Sequence, residues 1–173
     1  NPAKREQVSV PDNDLPLISI AKDKEASNTI LYIFYKHDKL PNDLNRTIAG
    51  LVKDYIQQIC ASIMDERFDD ILHQANPPFI YAQAYDDDNF MIAKSKGAWT
   101  EIDSTLTTLV KETQRVKQYG FTPSEYERAR INVLKQYESA YNERNNQKND
   151  AYVREYVNHF TNGGYIPGIE MEY

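Results

Sequence analysis

The sequence predicts an α+β fold: a mostly antiparallel sheet with long helices packed on one face. Three observations carry this. Strand-like apolar runs are grouped near the start, a strand pair around an acidic turn lies in the middle, and stretches of helical periodicity follow as a block. Grouped strands followed by grouped helices favour an antiparallel sheet over the alternating order of a parallel one.

The first runs are Gln7 to Val10 and Leu15 to Ala21, separated by the turn-forming Pro11-Asp12-Asn13-Asp14. Asn28 to Lys36 is the strongest. Its core, Ile30-Leu31-Tyr32-Ile33-Phe34-Tyr35, is apolar or aromatic throughout, which predicts a strand covered on both faces in the middle of a sheet. The period then changes. Ile48, Leu51, Val52, Tyr55, Ile56, Ile59, Cys60, Ile63 and Met64 recur at helical spacing, one stripe on a long core helix with Asn42 or Asp43 as its N-cap. Cys60 falls within that stripe and reads as a small buried hydrophobe, not as a nucleophile. As the only cysteine it excludes an internal disulfide.

Pro77-Pro78 closes the helical stretch, and Phe79 to Tyr85 and Phe90 to Lys94 form a hairpin tipped by Asp86-Asp87-Asp88-Asn89. The tip lacks the glycine and distal glutamate of a calcium loop and reads as a solvated turn. After Gly97 a second helix carries Ile102, Leu106, Leu109, Val110, Val116 and Tyr119, with Gly120 as its C′ residue. Thr122-Pro123-Ser124-Glu125 is a capping box with proline at the first helical position. It opens a third helix through Val133, Leu134, Tyr137 and Tyr141. A fourth, capped by Asp150, presents Val153, Tyr156, Val157 and Phe160 and stops at Gly163-Gly164.

A net charge of −6 offers no broad basic surface for nucleic acid. No apolar run reaches the roughly 20 residues of a membrane-spanning helix. His37, His73 and His159 are far apart, so no helical turn carries the paired imidazoles of a zinc-peptidase motif, and the phosphate-binding and nucleophile-elbow motifs are absent too. No metal ligand or catalytic group is predicted in these residues.

Four stretches resemble one family, the insulinase/pitrilysin-type zinc peptidases. MDERFDDILHQANPPFIYAQAYDDDNF (64–90) is similar to the place where their long helix ends in an arginine and a Pro-Phe begins the next strand. VKETQRVKQYGFTPSEYERARINVLKQYESAYNER (110–144) resembles their helix–Gly-Phe-Thr–helix element. VSVPDNDLPLISIAKDKEASNTILYIFYKHD (8–38) looks like the strand pair that begins such a domain, and YVNHFTNGGYIPGIEMEY (156–173) like the link to the following one. The Gly120-Phe121-Thr122 junction and Ile166-Pro167-Gly168-Ile169-Glu170 are the most specific parts.

The resemblance implies the fold of LuxS and the mitochondrial processing peptidase. It also implies one non-catalytic domain (1–165) followed by the start of an inter-domain link (166–173), cut from a longer chain. Asn1 without a starting Met or apolar leader, and the unfinished character of Ile166 to Tyr173, agree with that expectation. In this family only the first domain carries H-x-x-E-H and binds zinc. The expected place is therefore the second domain of the first half, enclosing a peptide substrate against the other domains of the same polypeptide, with zinc held elsewhere in the parent. Similarity to long bacterial members points to the periplasm or envelope. The family's silent half uses an Arg and a Tyr seven residues apart on a helix to reach the substrate carbonyl. Arg130 and Tyr137 have that spacing, although the matching segment belongs to another domain and Tyr137 also continues the apolar stripe of its own helix. Two further readings are a stand-alone module capturing extended peptides and a non-proteolytic scaffold.

Overall fold

A computed structural model describes residues 10–87, 90–162 and 165–173. The chain is α+β, with a three-stranded antiparallel sheet and its longest helices on one side. The elements in order are β1 (Thr29–Lys36), α1 (Asn42–Asn45), α2 (Ile48–Leu72), β2 (Tyr81–Asp87), β3 (Phe90–Gly97), α3 (Ile102–Tyr119), α4 (Pro123–Asn142), α5 (Asn149–Asn162) and α6 (Ile169–Glu172). β3 is central, pairing with β1 from Thr29↔Gly97 to Lys36↔Phe90 and with β2 from Tyr81↔Lys96 to Asp87↔Phe90.

That order corrects two expectations. Among the described residues β1 is an edge strand, not a central one. Its side chains alternate between half-buried and exposed, so the unbroken apolar run reflects an apolar outer face and not a second covering layer. Leu15 to Ala21 forms no strand. It carries a proline that cannot donate to a ladder, and no backbone hydrogen bond joins it to β1. Gln7 to Ser9 and Asp88-Asn89 lie outside the described residues, as do Gly163-Gly164.

The long helix starts later than expected and ends earlier than the proline pair. Thr47, not Asn42 or Asp43, is its N-cap: the hydroxyl accepts from Ala49 N at 3.2 Å and donates to Leu44 O at 2.7 Å. Gly50 permits this sharp entry, because a Cβ there would lie 2.3 Å from Asn45 O. Burial along the stripe is uneven. Ile59, Ile63 and Met64 are buried, whereas Ile48, Val52 and Ile56 are exposed and Cys60 is half-buried. The stripe continues into Arg67 and Phe68, because the sheet and α4 meet only the second half of the helix.

Two clusters make the core. Met64 and Phe68 of α2 and Leu109 of α3 pack with Phe79, Ala82, Ala84 and Ala93 against the inner sheet face, where Leu31 and Ile33 join them. Phe68 and Phe79 meet edge to face, ring centres 6.3 Å apart. Ile59 and Ile63 pack with Ala129 and Val133 of α4.

Arg67 bridges the helices. It is buried, and its Nε and Nη2 donate to the two carboxylate oxygens of Glu125 at 2.7 and 3.0 Å. Nη2 also reaches Gly120 O at 3.4 Å, Nη1 faces Glu112 of α3 at 3.9 Å, and the guanidinium sits 5.3 Å from the Phe121 ring centre. Gly120 has φ of 68°, the left-handed turn that ends α3 and aims its carbonyl at the arginine. Glu125 meanwhile completes the capping box, accepting the Thr122 N–H at 2.7 Å. The arginine beside it, then Thr122, hold its carboxyl down from 4.5 to about 2 against the opposing effect of burial.

This packing makes three predictions. Ile59→Ala should cost about 2–5 kcal/mol in urea melts, the range for truncating a buried isoleucine, whereas Ile56→Ala at 53% exposure should stay within about 0.5 kcal/mol. Glu125 is depressed in the folded state, so its contribution is complete above about pH 4.5 and disappears as the pH falls toward about 2. Glu125→Gln should lower stability at pH 7 by on the order of 3 kcal/mol and flatten that acid limb. Arg67→Met, which leaves two carboxylates facing each other, should cost about 3–5 kcal/mol.

Candidate functional site

The sheet has one covered face and one open face. The pleat sends Leu31, Ile33, Ala82, Ala84 and Ala93 toward α2 and α3, and their neighbours the other way. Ile30, Tyr32, Phe34 and Tyr81 are exposed at 51, 42, 55 and 42%. Tyr32 and Phe34 stack along β1 with ring centres 5.8 Å apart and planes at 14°. The register sets Lys94 opposite Tyr32 and Lys96 between Ile30 and Tyr81, and the Lys94 ammonium lies 5.4 Å from the Tyr32 ring centre. This is a shallow aromatic surface with lysines on its central strand.

The two sheet edges differ. On β2 the Ala84 N–H donates to Asp65 Oδ1 at 2.6 Å, so a side chain from α2 guards that edge. Burial pushes the Asp65 carboxyl up, while the Ala84 bond opposes the rise. β1 pairs only with β3, and its outer edge runs beside no other strand among the described residues.

The helix pair singled out by spacing is divided between two settings. Arg130 is exposed and donates through Nε and Nη2 to Glu127 on its own helix, at 3.1 and 3.0 Å. Tyr137 is half-buried against the Ile59–Val133 cluster, and its hydroxyl accepts from Gln58 at 3.1 Å. It borders a cleft of about 340 Å³ between α2, α4 and the C-terminal segment, with Tyr55, Tyr165 and Met171. Glu172, also on this cleft, has its carboxyl pushed up by burial and then by the charges of Glu155 and Asp54. The segment expected to be a link folds back here: α6 lies against α4, Tyr173 stacks on Tyr141 at 5.2 Å, and Arg144 meets Glu170 at 3.4 Å.

Asp86, the first residue of the expected tip, is less solvated than the acidic run suggests. Asp86 sits within β2, and its Oδ2 lies 2.9 Å from His37 Nε2, with the aspartate side chain only 9% exposed. Across the sheet, Tyr35, Met91 and Asp86 are in register, so a residue just past β1 reaches over to β2. Nothing local in the sequence announces a pair 49 residues apart. Cys60 has its thiol pushed up by burial and by the charge of Asp86. His73 ends α2 with Nδ1 2.7 Å from Asp69 O. No three His, Cys, Asp or Glu side chains among the described residues are grouped to hold a metal ion. No helix among them is long and apolar enough to cross a membrane.

Comparison with protein-family models, with curated proteins and with solved structures gives no match to this chain.

The open face makes a prediction about energetics. Ile30→Thr keeps a strand-forming side chain and should change stability by no more than about 0.5 kcal/mol, whereas Phe68→Ala, at the centre of the covered face, should cost about 3–5 kcal/mol. Equal losses in thermal or urea melts would mean that both faces are packed.

Proposed function

We propose that this chain is a non-catalytic domain of an insulinase/pitrilysin-type zinc endopeptidase, built on the fold of LuxS and the mitochondrial processing peptidase, and that it forms part of the wall enclosing the peptide substrate. The observation that carries the reading is the open sheet face. Ile30, Tyr32, Phe34 and Tyr81 present an exposed apolar and aromatic surface on a rigid sheet, on the side away from α2 and α3. Such a surface suits a wall that holds unfolded peptide or packs against a sister domain. The family resemblance lends support from a second direction. Arg67 comes from one of the resembling stretches, and Gly120, Phe121 and Glu125 come from another, so the segments that carry the likeness are bound together in the core.

In this reading the domain supplies binding and no chemistry. Zinc and the activated water belong to a sister domain carrying H-x-x-E-H. Contacts made equally with bound peptide and transition state alter KM and leave kcat nearly unchanged. Arg130 and Tyr137 lie on α4, on the helix side of the sheet, so a substrate contact through them would be separate from the open face.

The test is kinetic, on the parent polypeptide loaded with zinc. Tyr32→Ser combined with Phe34→Ser should raise KM for unstructured peptides about three- to tenfold with kcat within about twofold, as expected for loss of uniform binding. A fall in kcat at unchanged KM would place the face in the catalytic machinery. A parent chain without H-x-x-E-H in the preceding domain would remove the peptidase assignment.

A further inference from the structure

We propose that the open sheet face selects extended peptides that carry carboxylates among apolar side chains. The inference rests on the wall reading above and adds the substrate class. The chain as a whole bears −6, so its surface average is acidic. The middle of the open face has the opposite sign. Lys94 and Lys96 stand on its central strand, and the described side chains that share the face are Ile30, Tyr32, Phe34, Tyr81, Gln83 and Tyr85, with Ile92 buried between Phe34 and Tyr85 and, at the end, Lys36 donating to Pro11 O. Asp86, next to the hairpin tip, does not offset them, because it turns to the covered side and pairs with His37.

Position matters as much as sign. Lys94 rests over Tyr32 and lies in the middle of the aromatic surface, not at its rim. A peptide laid across the stacked Tyr32 and Phe34 rings brings its neighbouring side chains beside Lys94 and Lys96, where a carboxylate is attracted and an ammonium repelled. Among the described residues no strand pairs with the outer edge of β1, and such an edge favours an extended strand as occupant. Aromatic rings and lysines on a sheet also suit single-stranded nucleic acid. A polyphosphate, however, carries charge at every unit against a chain of −6, while a peptide with two or three carboxylates places its charge only where the lysines are.

The experiment titrates the isotopically labelled chain with two extended peptides of identical apolar sequence, one bearing glutamates and the other lysines at the alternate positions. Amide shifts of residues 30–34 and 94–96 are followed. The glutamate peptide should bind about tenfold more tightly at low salt, and the ratio should shrink toward one at about 0.5 M salt, where the screening length falls to a few ångström. Lys94→Glu combined with Lys96→Glu should reverse the preference, with the rest of the spectrum confirming an intact fold. Equal binding, or tighter binding of the lysine peptide, overturns the proposed selectivity and leaves the wall reading in place. No shift on this face with either peptide overturns both the docking surface and the substrate class, while the kinetic test on the parent still decides the peptidase assignment. Preferential binding of a uridine oligonucleotide, or sedimentation as a dimer at the concentrations used, would assign the face to nucleic acid or to a second copy.

Discussion

The fold turns on one buried cation. Arg67 projects from the middle of the core and is met by a carboxylate from α4, a second carboxylate from α3, the carbonyl of the α3–α4 turn and the face of Phe121. A buried guanidinium is costly unless its charge is met. Here Nε and Nη2 are hydrogen-bonded, the buried Nη1 has only the Glu112 carboxylate at 3.9 Å, and the partners come from α3, the α3–α4 turn and α4. The arrangement therefore specifies the angle at which α3 gives way to α4. The capping box is part of the same device: Glu125 binds the Thr122 backbone and Arg67 at once, so the start of α4 and its docking on α2 are set by a single side chain.

From that junction outward the sheet acquires its two different faces. α2 and α3 are held where they cover the small residues Ala82, Ala84 and Ala93, and a helix can approach closely only over such residues. The large residues of β1 alternate. Leu31 and Ile33 enter the core, while Ile30, Tyr32 and Phe34 are left outward. Asp65 protects the β2 edge, so the accessible backbone is concentrated on β1, beside the aromatic surface. Exposed rings and adjacent lysines thus occupy one side of the sheet, next to a strand edge with no partner strand among the described residues, and the helices that hold them lie on the other.

Several strong sequence signals did not translate into burial. α5 carries Val153, Tyr156, Val157 and Phe160 at helical spacing, yet all four are exposed at 54–75%. The first half of α2 behaves likewise at Ile48, Val52 and Ile56. Periodicity reports that a helix has an apolar side; it does not report whether this chain supplies the surface that covers it. In the opposite direction, Arg67 and Glu112 occupy core positions that composition would assign to solvent. The legible hint was positional: Arg67 continues the Ile63–Met64 stripe by one turn and precedes Phe68.

Local chemistry was readable in the sequence because it acts over a few residues. The α+β class, the hairpin, the Thr122–Glu125 capping box, proline at the start of α4 and glycine at the end of α3 all depend on backbone sterics and hydrogen bonds spanning a turn. Strand order, the pairing of His37 with Asp86, the exposure of one sheet face and the separation of Arg130 from Tyr137 depend on contacts between residues that the chain brings together only when folded. β1 shows the division most plainly. Its residues determine that it is a strand, but whether its apolar run lies in the middle of a sheet or at an open edge is decided by which strands and helices pack beside it.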